Sequence, residues 1–184
     1  MDLTGRVWGA TPEERRAPCP CDRLVRPPAE VWSRALDVAA PPRLVFRWVR
    51  QLTAAPYSYD WIDFRGRKSP RVLLPDLPEL SVGQRFLVFV ITDFESDAHI
   101  TGLLPERLAA RHGQMAVSYC VRAQEGGTRL VVKVVAGSGA GIGSRVRRRL
   151  LAWGDLVMMR KQLLTLKKLA EGTADRETGG SPTS

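Results

Sequence analysis

A chain of 184 residues holds one domain with a substantial core and is short for two. Hydrophobic residues at 44% and charged residues at 26% are ordinary for a soluble globular protein, and no apolar run approaches the ~18 residues of a membrane span. The net charge of +9 would suit a polyanionic partner, yet no nucleic-acid motif accompanies it, so nucleic acid is not expected.

Met1 to Arg6 lack the apolar core of a secretory signal, which makes the cytoplasm the expected location. Cys19, Cys21 and Cys120 are an odd number and argue against a disulfide framework. Cys19-Pro20-Cys21 could be half of a metal site, but zinc takes four ligands and the only histidines are His99 and His112. No metal and no cofactor is expected, and the cysteines read as loop residues in a reducing compartment.

Residues 1–28 are rich in proline and charge, with Trp8 and Leu24 as apolar anchors, and read as an extended lead-in draped over the domain. The domain proper spans 29–171. Its first strand, 31–38, puts Trp32, Leu36 and Val38 on one side. Ala39-Ala40-Pro41-Pro42 breaks that strand, and proline suits the first turn of the helix that follows. Leu44, Val45, Trp48, Val49 and Leu52 form the helix's apolar stripe.

An irregular section, 53–82, contains four prolines and the aromatic block Tyr57-Ser58-Tyr59-Asp60-Trp61. Strand-like runs then cover 84–94, 99–104, 114–124 and 128–136, with Glu125-Gly126-Gly127 as a hairpin turn. Met115, Val117, Tyr119 and Val121 share one face, opposite Ala116, Ser118, Cys120 and Arg122. Leu130, Val132, Val134 and Ala136 likewise oppose Arg129 and Lys133. Such alternation predicts antiparallel strands with one face buried and the other mostly wet.

A long helix, 144–170, closes the domain, and 172–184 reads as a disordered tail. Strand, helix, antiparallel strands and closing helix make an α+β fold rather than α/β. The closing helix carries two apolar stripes, roughly 130° apart at ~100° per residue. Val146, Leu150, Trp153, Val157 and Leu164 make one; Leu156, Met159, Leu163, Leu166 and Ala170 make the other. A single sheet needs only one, so the second is expected to meet another part of the chain or a second copy in a homodimer.

The strand leading into Ala39-Ala40-Pro41-Pro42-Arg43-Leu44-Val45-Phe46-Arg47-Trp48, the Tyr57–Trp61 block and Leu80-Ser81-Val82-Gly83-Gln84 carry a resemblance. So does Gly154-Asp155-Leu156-Val157-Met158-Met159 in the closing helix. The sequence resembles the START-like superfamily with the helix-grip fold, which includes polyketide cyclase/dehydrase-type and SRPBCC proteins. Thr11-Pro12-Glu13-Glu14-Arg15 is similar to the start of an uncharacterised SRPBCC branch.

The resemblance implies a curved antiparallel sheet wrapped around the long C-terminal helix, with an apolar cavity between them for a hydrophobic or aromatic small molecule. Expected ligand-binding residues are Tyr57, Tyr59, Trp61, Phe89, His99, Tyr119, Trp153 and Val157. The polar-tipped ones among them would orient a guest in an apolar pocket. One alternative is a polyketide cyclase/dehydrase-like enzyme using His99 or a tyrosine as general acid/base, although no nucleophile–base arrangement stands out. Another is a basic polyanion-binding module using Arg145, Arg147, Arg148 and Arg149, whose charges oppose the helix dipole.

Two further constellations read as structural. Asp60 and Asp63 sit among Arg65, Arg67 and Lys68, which favours salt bridging over acid/base work. The glycines of 137–143 lack the dinucleotide fingerprint and the P-loop lysine, and they read as a flexible connection.

Overall fold

The computed structural model describes residues 5–57, 68–137 and 144–179; the side chains of 112, 144–155 and 179 lie outside that description. Its sheet has seven strands: β1 (Val7–Trp8), β2 (Pro28–Val38), β3 (Arg85–Phe86), β4 (Phe89–Glu95), β5 (His99–Leu103), β6 (Met115–Gln124) and β7 (Gly127–Gly137). Their order across the sheet is β1-β2-β7-β6-β5-β4-β3, and every pairing is antiparallel except β1 with β2. The helices are α1 (Pro12–Arg16), α2 (Pro42–Arg50), α3 (Glu106–His112) and the closing α4 (Ser144–Gly179). This is an α+β, helix-grip arrangement.

The β6–β7 hairpin turns on Glu125-Gly126, with Gln124 paired to Gly127. Gly127 has φ +150°, and a Cβ there would lie 2.3 Å from the Val38 carbonyl oxygen, so the position admits no side chain. A second hairpin lies inside the run expected as one strand over 84–94. Phe86 pairs with Phe89, and Leu87 takes φ 57° in the two-residue turn between them. No glycine or asparagine marks that turn, which is why the alternation reads straight through it.

One face of the sheet packs on helices. Trp32, Leu36, Val117, Tyr119, Val121, Leu130, Val132 and Val134 share a core with the α2 stripe and with Met159, Leu163, Leu166 and Ala170 of α4. The buried apolar positions of α4 recur at intervals of three and four residues from Leu156, as a helix with one apolar face requires. The α4 stripe that meets the core is therefore Leu156–Ala170, while Val157 and Leu164 are 49% and 43% exposed.

The opposite face is covered, not wet. Cys19, Cys21 and Val25 of the lead-in pack on Ala35, Ala116, Cys120, Val131 and Val135 in a second core. The lead-in is built rather than merely extended: Thr11 caps α1 in a reciprocal capping box with Glu14, and a 3-10 turn spans Pro20–Arg23. Lys133, expected in water, is buried with its ammonium 2.8 Å from Asp22 and 3.1 Å from the Ala17 carbonyl.

At the other end, α4 continues through 172–179, residues whose composition reads as disordered tail. Ala174 packs on the helix-side core, and Glu171 accepts from the Ala39 amide and from Lys167 Nζ, so packing at its last turns outweighs weak helix formers.

Arg129 ties the lead-in to the sheet. Its guanidinium bonds both carboxylate oxygens of Glu14 at 2.7 and 2.9 Å, the Gly9 carbonyl at 2.7 Å, and Asp37 at 3.0 Å. Those bonds, Arg129's foremost, hold the Glu14 carboxyl below its ordinary value. A carboxylate so depressed stabilises the fold above its unfolded-chain pKa, and the contribution fades as pH falls through the lower, folded value. Arg129→Ala is expected to lower stability by about 1–3 kcal/mol and to speed amide exchange across residues 5–25 at neutral pH. At a pH low enough to protonate Glu14, the gap between wild type and variant should narrow in urea melts, with the Gly9 bond remaining.

Candidate functional site

The helix-side core contains polar groups in an otherwise apolar volume. Tyr119, on β6, is fully buried, and its hydroxyl donates to Gln162 Oε1 of α4 at 2.6 Å. The Gln162 amide in turn donates to the Pro56 carbonyl at 2.5 Å, tying the segment after α2 to the closing helix. Phe86 meets Tyr119 edge-on with ring centroids 5.3 Å apart.

A second relay lies beside it. Gln51, just after α2, donates through Nε2 to the Tyr57 hydroxyl at 2.6 Å and to the Val72 carbonyl at 3.3 Å, and its Oε1 accepts from the Leu74 amide at 2.5 Å. Trp48 stands edge-on to Tyr57, centroids 6.1 Å apart at 90°. The Trp48 indole is 0% exposed, and its N–H has no acceptor among the described residues. A buried donor left unpaired costs about 1–3 kcal/mol relative to a satisfied one.

Of the residues expected to bind a ligand, Tyr57, Phe89 and Tyr119 belong to this one core. Phe89 fits because Gly102 lies opposite; a Cβ at residue 102 would come within 2.8 Å of the Phe89 Cβ. Tyr59 and Trp61 lie outside the described residues, as does the Trp153 side chain.

Two residues are elsewhere. Val157 is one residue, about 100° of helix rotation, from buried Leu156, and it projects toward solvent. His99 stands on the other face of the sheet, because its neighbour Ile100 takes the core-facing position on β5 and successive strand residues alternate. Its Nε2 lies 3.1 Å from Asp93 Oδ2, and with Cys19, Asp22, Arg23 and Arg26 it lines a surface pocket of about 500 Å³.

Gln51 and Gln162 are the residues the sequence reading did not single out, and Trp48 it placed in the α2 stripe rather than among the ligand-binding residues. A signal existed: Gln162 falls three residues after Met159 and four before Leu166, on the apolar stripe itself. A glutamine placed there must find partners inside the core.

No family model and no curated protein matches the sequence. Among solved structures, the chain is similar to protein MLL2253 of Mesorhizobium loti at 16% identity and TM-score 0.49, with 78% of this chain and 98% of that one covered. It is also similar to the di-domain ARO/CYC StfQ of the steffimycin biosynthetic pathway, at 12% identity and TM-score 0.45, over 81% of this chain and 51% of that one. A third is the AHSA1-like protein RHE_CH02687 of Rhizobium etli, at 20% identity and TM-score 0.43, over 78% and 82%. The assignment of the helix-grip arrangement rests on this chain's own topology.

Among the described residues, no helix is long and apolar enough to cross a membrane. Tyr119→Phe should strand the Gln162 carbonyl oxygen and lower stability by about 1–3 kcal/mol. Adding Gln162→Leu to that variant should restore part of the loss, because no polar atom of the pair is then left unpaired; equilibrium urea unfolding measures both.

Proposed function

We propose that this protein binds a hydrophobic or aromatic small molecule bearing an acceptor oxygen, held between the sheet and the closing helix against Trp48, Tyr57, Phe89 and Tyr119. The observation that carries the reading is the buried Trp48 indole N–H, a donor with no acceptor among the described residues, edge-on to Tyr57. A carbonyl or phenol oxygen there would make the missing hydrogen bond, while the aromatic walls bury the rest of the guest. Tyr59, Trp61 and Trp153 are proposed to complete the lining.

The reading is one of binding. His99, the general acid/base of the cyclase-like alternative, is on the other face of the sheet from this volume, and the Tyr119 hydroxyl is already engaged by Gln162. Three free cysteines suit a reducing compartment, and we place the protein in the cytoplasm.

An aromatic ketone and its parent hydrocarbon test the assignment. 9-Fluorenone should bind about tenfold tighter than fluorene, the worth of one hydrogen bond. Trp48→Phe should reduce that ratio to near one while leaving fluorene affinity largely intact. Calorimetric titrations showing no uptake of either compound, or a ratio unchanged in the variant, would overturn the proposal.

A further inference from the structure

The sheet's outer face carries chemistry that ligand binding does not use. Cys19, Cys21 and Cys120 are all free and buried there, and Cys19 Sγ lies 3.4 Å from Cys120 Sγ. A disulfide would need the two sulfurs to close by only about 1.4 Å. Cys19 sits just before the Pro20–Arg23 turn, its amide bonded to Asp22 Oδ2 at 2.8 Å, whereas Cys120 is held in β6 between β5 and β7.

We propose that Cys19 and Cys120 form a peroxide-responsive thiol pair, with Cys19 as the attacking sulfur and Cys120 as the resolving one. The division of roles follows from access. Cys19 lines the surface pocket of about 500 Å³, together with Asp22, Arg23, Arg26 and His99, and neither Cys120 nor Cys21 does. A hydroperoxide entering the pocket therefore meets Cys19 first. Cys21 lies outside that pocket, its thiol toward the Lys133 carbonyl at 3.5 Å and its amide donating to Ser118 Oγ at 3.0 Å.

The electrostatics concentrate thiolate character on the member that lines the pocket. Hydrogen bonding from Cys120, then from Cys21, holds the Cys19 thiol far below its ordinary value against the opposing effect of burial, with smaller help from Ser118 and Lys133. Cys120 and Cys21 move the other way, because each serves Cys19 as a donor and each is buried. The thiolate is the nucleophilic form.

In the first step the Cys19 thiolate attacks one oxygen of a hydroperoxide. An S–O bond forms and the O–O bond breaks, and the departing oxygen takes a proton to leave as water or an alcohol. Cys19 is then a sulfenic acid, oxidised by two electrons. In the second step Cys120 gives up its proton and attacks the Cys19 sulfur, so the S–S bond forms, the S–O bond breaks and water leaves. A dithiol reductant reverses the bridge by thiol–disulfide exchange. The bond would fasten the lead-in to a central strand of the sheet.

Peptide mapping of the full chain after treatment with hydrogen peroxide tests the pair. Mass spectrometry under non-reducing conditions should show the loss of two hydrogens and a crosslink joining the Cys19 and Cys120 peptides, reversed by dithiothreitol. Cys120→Ser should stop at a sulfenic acid on Cys19 that dimedone traps, and Cys21→Ser should still form the bridge. Cys19→Ser should slow oxidation at least about tenfold, since neither remaining thiol lines the pocket through which the peroxide enters. Thiols untouched by peroxide, a crosslink that joins Cys21, or Cys19→Ser oxidised as fast as wild type would each overturn the assignment. The wild-type map decides the matter even if a variant fails to fold.

Discussion

Ten paired positions between β6 and β7 form the ladder on which both halves of the molecule depend. Successive side chains of a strand point to opposite faces, so this one hairpin furnishes two separate cores. Val117, Tyr119, Val132 and Val134 turn toward the helices, while Ala116, Cys120, Val131 and Val135 turn toward the lead-in. A slip of one residue would exchange the two sets and place Lys133 against α4. The turn at Glu125-Gly126, with no room for a Cβ at Gly127, fixes that register at its end.

The helix-side core is not purely apolar, and its exceptions are organised. Gln162 joins the sheet, through Tyr119, to the segment after α2, through Pro56. Gln51 does the same for Tyr57 and the chain around Val72 and Leu74. Satisfied polar groups of this kind select one arrangement of the surrounding segments, because any other strands them. Against that background the Trp48 indole N–H has no acceptor among the described residues, while the Tyr57 hydroxyl beside it is engaged by Gln51.

The lead-in has a parallel role on the other face. Arg129 grips Glu14 and Gly9, and Lys133 grips Asp22 and Ala17. These contacts convert a segment rich in proline and charge into a cover for half the sheet. They also bring Cys19 to Cys120, a residue a hundred positions away in the chain and a few ångströms away in space.

The local elements were legible from residue order. Alternation in 114–124 and 128–136 specified both strands and which residues share a face, and Pro41-Pro42 with the following apolar stripe specified α2. Spacing also showed two apolar stripes on the closing helix, but only packing decided that Leu156–Ala170 meets the sheet and that Val157 is exposed. The hairpin at Leu87, helix α3 and the helical stretch 172–179 lack strong local signals, and tertiary contacts define them.

The sequence by itself determined strands β2, β6 and β7, helix α2 and which residues of the strands share a face, because periodicity is a property of neighbouring residues. The tertiary structure alone decided what lies on each face: that His99 is on the far side from Tyr119, that glutamines thread the core, and that three cysteines meet. Those are relations between distant parts of the chain, and spacing along the sequence carries no information about which distant surface will come to lie against a given face.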